Sequence, residues 1–131
     1  MPIPIPKTRR DLSADGLLRT LREGFERIPD HRRRPCIPLR DALLSAFALF
    51  ALKDPSLLAF DARRQDGNLQ RLFGIGQVPS DTRMREILDP VDPEQLRPVF
   101  NDAFRSLQRG KALEPLVFHQ GCYLLALDGT G

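Results

Sequence analysis

Apolar residues recur at helical spacing from Leu17 onward. Leu17, Leu18, Leu21, Phe25 and Ile28 fall on one stripe, which predicts a helix starting near Ser13 or Asp15 and running to about Ile28. Pro29 ends it, and the polar, proline-containing stretch from Asp30 to Pro38 reads as a loop. Pro38 suits the first turn of a second helix, whose run through Leu43, Leu44, Phe47, Leu49, Phe50 and Leu52 is apolar almost all round and marks the centre of the fold. Asp54-Pro55 reads as a cap followed by a helix over roughly 55–64, broken at Asp66-Gly67. Asn68 is expected to cap a short turn through Leu69, Leu72 and Phe73, followed by a flexible corner at Gly74-Ile75-Gly76.

Two further start signals follow. Ser80 caps a short helix with Met84, Ile87 and Leu88 on its apolar face, stopped by Asp89-Pro90. Asp92-Pro93 opens a longer helix to Arg109, with Leu96, Val99, Phe100, Ala103, Phe104 and Leu107 in one stripe and Gly110 at the C′ position. Leu116 to His119 and Tyr123 to Leu127 read as strands around a turn at Gly121. The order is therefore several helices, then one or two strands. The final strand is expected to lack a neighbour and to be poorly anchored after about Gly121, because a strand needs a sheet. On this reading the chain starts a sheet without finishing it, as a truncated protein would.

A length of 131 residues and 41% hydrophobic content suit a single folded domain. No apolar run reaches a membrane span, and Met1 to Pro6 alternates Pro and Ile in a way that suits an extended segment, not a signal peptide. A cytoplasmic location is expected. Cys36 and Cys122 have no metal-ligand spacing and read as buried or half-buried thiols. The net charge of +3 conceals an asymmetry: residues 1–40 carry +5 and residues 41–131 carry −2. Arg32, Arg33 and Arg34 concentrate the excess. Such a run suits a polyanion, most simply nucleic acid, or else a solvated loop beside a helix.

The chain closes on Tyr123-Leu124-Leu125-Ala126-Leu127-Asp128-Gly129-Thr130-Gly131. An apolar run ending in one Asp reads as a strand delivering a carboxylate to its tip, where Gly129 and Gly131 let the backbone turn. Metal-dependent phosphoryl-transfer enzymes hold a Mg²⁺ ligand this way; a plain strand with an Asp-Gly turn has the same pattern. His31 and His119 are isolated and read as non-catalytic. Asp89, Asp92 and Asp102 are better explained as caps or solvated positions than as ligands.

Several segments together resemble the N-terminal part of bacterial insertion-sequence transposases of the DDE class. They are Leu39 to Phe50, Leu52 to Asp61, Leu72-Phe73-Gly74-Ile75, Pro79-Ser80-Asp81-Thr82-Arg83-Met84-Arg85, Ile87 to Val91, and Tyr123-Leu124 through Asp128-Gly129-Thr130. The resemblance runs from about Pro29 to Gly131. With the extended segment read at 1–12, the resemblance implies a mainly α-helical DNA-binding domain at 13–112 and, at 113–131, the first strands of a truncated RNase H-like α/β domain. Asp128 matches the first Asp of the Asp, Asp, Glu triad and would be a catalytic Mg²⁺ ligand. The chain shows no match to the second Asp or the Glu, so no strand transfer is expected from it alone. The implied partner is double-stranded DNA at the element's terminal repeats, bound in a bacterial cytoplasm at the nucleoid. A homodimer, or a full-length transposase, is a further possible partner. Candidate DNA contacts are Ser80, Thr82, Arg83 and Arg85 on the helix after Pro79, and Arg32, Arg33 and Arg34 for phosphate affinity. Ser80 and Asp81 would otherwise merely cap a structural helix. A small helical protein-interaction module is the rival reading.

Overall fold

In a computed structural model the protein is described over residues 12–124 and 126. Among these it is mainly helical, with six α-helices followed by one short hairpin: α1 (Ala14–Glu26), α2 (Leu39–Ala51), α3 (Leu57–Asp61), α4 (Gly67–Phe73), α5 (Asp81–Leu88), α6 (Arg97–Arg109), β1 (Val117–His119) and β2 (Cys122–Tyr123).

Helix starts follow local chemistry. Ser13 Oγ accepts from the Gly16 N–H, Ser56 from Ala59 and Ser80 from Arg83, so each side chain satisfies a donor that the first turn leaves without a partner. Several expected boundaries shift. Helix α1 ends two residues before Ile28, and Pro38 is the N-cap of α2 rather than its first helical residue. The cap of α3 is Ser56, not Asp54, because the Asp54 carboxylate is held by Arg63 Nε at 2.8 Å. Asp66 caps α4 in place of Asn68, and Gly74 ends it in the left-handed conformation at φ 71°. Asp92-Pro93 opens a single 3₁₀ turn, Pro93–Gln95, before α6 starts at Arg97. Gly110 is right-handed at φ −77°, so it is not the left-handed C′ glycine expected; Lys111 takes the positive φ instead.

The core forms around α2. Ala42, Leu44 and Ala48 are fully buried there, while α1 packs between α2 and α6 and contributes Leu21 and Phe25, with Ile28 following just past its end. Gly24 lets α1 and α6 approach closely: a β-carbon there would lie 2.7 Å from Val99 Cγ1. The rings of Phe25, Phe47, Phe73 and Phe100 link four helices edge to face or tilted, with centroids 6.1–6.4 Å apart. The expectation that α2 is apolar and central holds except at its end, where Phe50 is 77% exposed.

The strand pattern is corrected in one respect. Tyr123 does have a neighbour, since β2 pairs antiparallel with β1, with Val117 opposite Tyr123. Gln120 and Gly121 both have positive φ, 49° and 77°, as a tight hairpin turn requires. The hairpin leans on the helical body through Tyr123, whose ring meets Phe104 at 6.0 Å and 84°. Both cysteines are exposed, contrary to expectation. No helix of the described residues is long and apolar enough to cross a membrane.

Candidate nucleic-acid interface

Two segments carry the candidate DNA contacts, and the fold joins them. Helix α5 buries Met84 and Ile87 against α2 and α3 and leaves Thr82, Arg83 and Arg85 exposed. Its spacing explains this: positions 84 and 87 share one face, and positions 82, 83 and 85 lie off it. The loop over 29–38 joins α1 to α2. Within it, His31 Nε2 lies 3.0 Å from the carbonyl oxygen of Ile87 in the last turn of α5. A carbonyl only accepts, so Nε2 carries the proton in this bond. The contact satisfies a carbonyl at the helix end and ties the arginine run to α5 across 56 positions of sequence. His31 is isolated in the sequence, and no local pattern announces its partner.

The three arginines do not behave alike. Arg32 is half-buried and turned inward. Its Nε donates to Asp30 Oδ1 at 3.0 Å, and its Nη2 donates to Asp30 Oδ2 at 2.8 Å and to the Ile37 carbonyl at 2.7 Å. The Arg32 backbone N–H also donates to Asp30 Oδ1 at 2.9 Å. Burial pushes the Asp30 carboxyl up, but the hydrogen bonds from Arg32 and the charges of Arg32 and His31 outweigh it, and the group sits below its ordinary value. Arg32 therefore shapes the loop, its guanidinium committed to Asp30 and the Ile37 carbonyl. Arg33 and Arg34 are exposed, and neither has an ion-pair partner among the described residues.

Helix α5 is less basic than its arginines suggest. Arg83 Nη1 donates to Glu86 Oε2 at 3.0 Å, and Asp81 and Asp89 stand at the helix ends. Arg85 is exposed and has no such partner among the described residues. Ser80 is half-buried, and its hydroxyl is engaged at 3.4 Å by the Arg83 N–H. Thr82 Oγ1 lies 3.5 Å from Asp81 Oδ1. The free cationic groups facing solvent in these two segments are thus Arg33, Arg34 and Arg85.

Helix α5 is reached through a seven-residue corner, Gly74–Ser80, longer than the tight turn of a helix-turn-helix. The corner is firmly held. Ile75 and Pro79 are buried, the Gln77 N–H donates to Asp41 Oδ2 at 3.0 Å, and Arg64 Nε donates to the Val78 carbonyl at 3.2 Å. The glycine-rich corner expected to be flexible is therefore anchored on both sides.

Asp128 lies outside the described residues. Among those described, no three His, Cys, Asp or Glu side chains cluster to hold a metal ion. Asp92 caps the 3₁₀ turn, and Asp102 stands 3.9 Å from Arg27 in an exposed pair. A second surface lies at the hairpin. Leu116, Phe118 and Leu124, 63%, 74% and 73% exposed, line a cleft of about 540 Å³ together with Phe104 and Tyr123. No protein-family model, curated protein or solved structure matches this chain.

Proposed function

We propose that this chain is the DNA-binding N-terminal part of a DDE transposase, gripping duplex DNA through α5 and the arginine loop together. The observation that carries the reading is the His31–Ile87 hydrogen bond, which brings two sequence-distant basic segments into one assembly. Arg33, Arg34 and Arg85 supply phosphate contacts, while Thr82, and Arg83 once released from Glu86, are placed to reach base edges. Ser80 and Arg32 serve by holding the helix start and the loop in shape. The element's terminal repeats are the proposed target, in a bacterial cytoplasm at the nucleoid.

In the complete catalytic unit Mg²⁺ would activate the attacking oxygen and stabilise the leaving one, and Asp128 would be one of its carboxylate ligands. Within residues 1–131 the resemblance supplies Asp128 alone, so strand cleavage by this chain is not expected. Mg²⁺-dependent nicking of duplex by the purified chain, abolished by Asp128→Ala, would overturn that part of the reading. The DNA-binding part is tested by fluorescence anisotropy with labelled duplex. The expected result is salt-sensitive binding in the absence of any other protein, and no binding at low salt would defeat it.

The exposed apolar cleft favours a second reading, a protein-interaction module whose partner is a second copy of this chain or a full-length transposase. Monomeric sedimentation across a hundredfold range of concentration, together with DNA binding, would leave the first reading standing alone.

A further inference from the structure

The Asp41 carboxylate is the least expected group in the core. It sits in the first turn of α2 and is 2% exposed. Its Oδ2 accepts the Gln77 N–H at 3.0 Å, while Oδ1 has no hydrogen-bond partner; Arg40 Nε, also without one, stands 3.6 Å away. A buried carboxylate with one oxygen unsatisfied is costly, and an apolar side chain of similar size would fill the space more cheaply. Such a side chain would leave the Gln77 N–H unbonded and the corner without its polar tie to α2.

The neighbouring backbone is fitted to this carboxylate. A β-carbon on Gly76 would lie 3.0 Å from Asp41 Oδ2, so the corner approaches as closely as glycine allows. Buried Ile75 and Pro79 flank the contact on either side, and Ser80 caps α5 immediately afterwards. The chain thus passes from α4 into α5 over one charged anchor.

We propose that Asp41 is a positioning residue for α5: its buried carboxylate sets the register of the Gly74–Ser80 corner and so the placement of Thr82, Arg83 and Arg85. This rests on the DNA-binding reading. Asn at position 41 keeps the shape and can offer Gln77 an oxygen. It loses the charge, however, and turns an amide donor toward the donor Arg40 Nε.

The test uses two variants that disturb the contact from opposite sides, Asp41→Asn and Gly76→Ala, each confirmed as folded by circular dichroism. Amide exchange at Gln77 and in the first turn of α5 is read by NMR, and affinity for labelled duplex by anisotropy. Both variants should accelerate exchange at Gln77 by roughly tenfold, as weakening a hydrogen bond to a charged group by about 1.4 kcal/mol implies. Both should also weaken duplex binding several-fold while the chain stays folded. Wild-type exchange at Gln77 in both variants would overturn the proposal. So would undiminished duplex affinity in a variant whose corner has loosened. If the wild-type chain binds no duplex, the DNA-binding reading fails by itself, and the exchange data still decide whether Asp41 holds the corner.

Discussion

If α5 and the arginine loop grip duplex as proposed, replacing Arg33 and Arg34 together with alanine should change how binding responds to salt, and the structure sets the size of the change. Each phosphate neutralised on B-DNA contributes about 0.9 to the slope of log affinity against log salt. The loop has three arginines, but Arg32 spends its guanidinium on Asp30 and the Ile37 carbonyl, leaving two for phosphates. The double variant should therefore flatten the slope by about 1.8, not the 2.7 or so that three equal arginines would give. Between 50 and 200 mM salt, about 1.8 in slope means that the wild type loses roughly twelvefold more affinity than the variant. Anisotropy titrations at four salt concentrations on one duplex resolve that difference. Arg32→Ala is the control. It should leave the slope unchanged but lower the thermal midpoint by several degrees, because a half-buried carboxylate and a carbonyl lose their donors, at about 1.5–3 kcal/mol. An unchanged slope in the double variant would remove the loop from the interface. A slope change in Arg32→Ala as large as that of the double variant would refute the division of labour.

Glu86→Gln frees Arg83 from its 3.0 Å partner, and on the proposed reading it should tighten duplex binding several-fold; unaltered titrations would mean Arg83 does not reach the duplex. Gly24→Ala pushes a β-carbon against Val99 between α1 and α6 and should cost about 1–3 kcal/mol, read as a lowered urea midpoint; wild-type stability would show that the two helices can part freely. Asp30 sits below its ordinary value, so its contribution to stability is fully present above the unfolded-state value of about 3.9 and is lost as pH falls through the folded value. The destabilisation caused by Asp30→Asn should accordingly be the same at pH 7 and pH 5 and shrink only in stronger acid; its disappearance by pH 5 would contradict the clamp.

The parts legible in the sequence are those governed by residues close together. Ser13, Ser80 and Asp92 cap where expected because a cap needs only a side chain and an N–H two or three residues on. Asp54 misleads because its carboxylate is taken by Arg63, nine residues away, and Ser56 is left to cap α3. Phe50 looks like core from the apolar run of α2, yet nothing in that run shows where the packed neighbours of the helix stop. At the candidate site, α5 and its exposed Thr82, Arg83 and Arg85 follow from helical spacing. The His31–Ile87 bond and the Asp41–Gln77 bond span 56 and 36 positions, and no periodicity reports contacts of that kind. The inward turn of Arg32 does have a local signal, since an Asp two residues before an Arg in a loop is a short-range pairing.

The 56-residue span of the His31–Ile87 bond also orders events during synthesis. A nascent chain in which the arginine run has left the ribosome still lacks the α5 carbonyl on which that loop is registered. Helix α1 has what it needs for local structure as soon as it emerges, whereas the basic loop gains its final placement only once residue 87 is clear of the exit tunnel. Contacts of such long separation form late, after the loop-closure entropy has been met. The basic loop is therefore placed late, ahead only of the packing of α6 on α1, and a polypeptide stalled before residue 87 would display the arginines without their anchor.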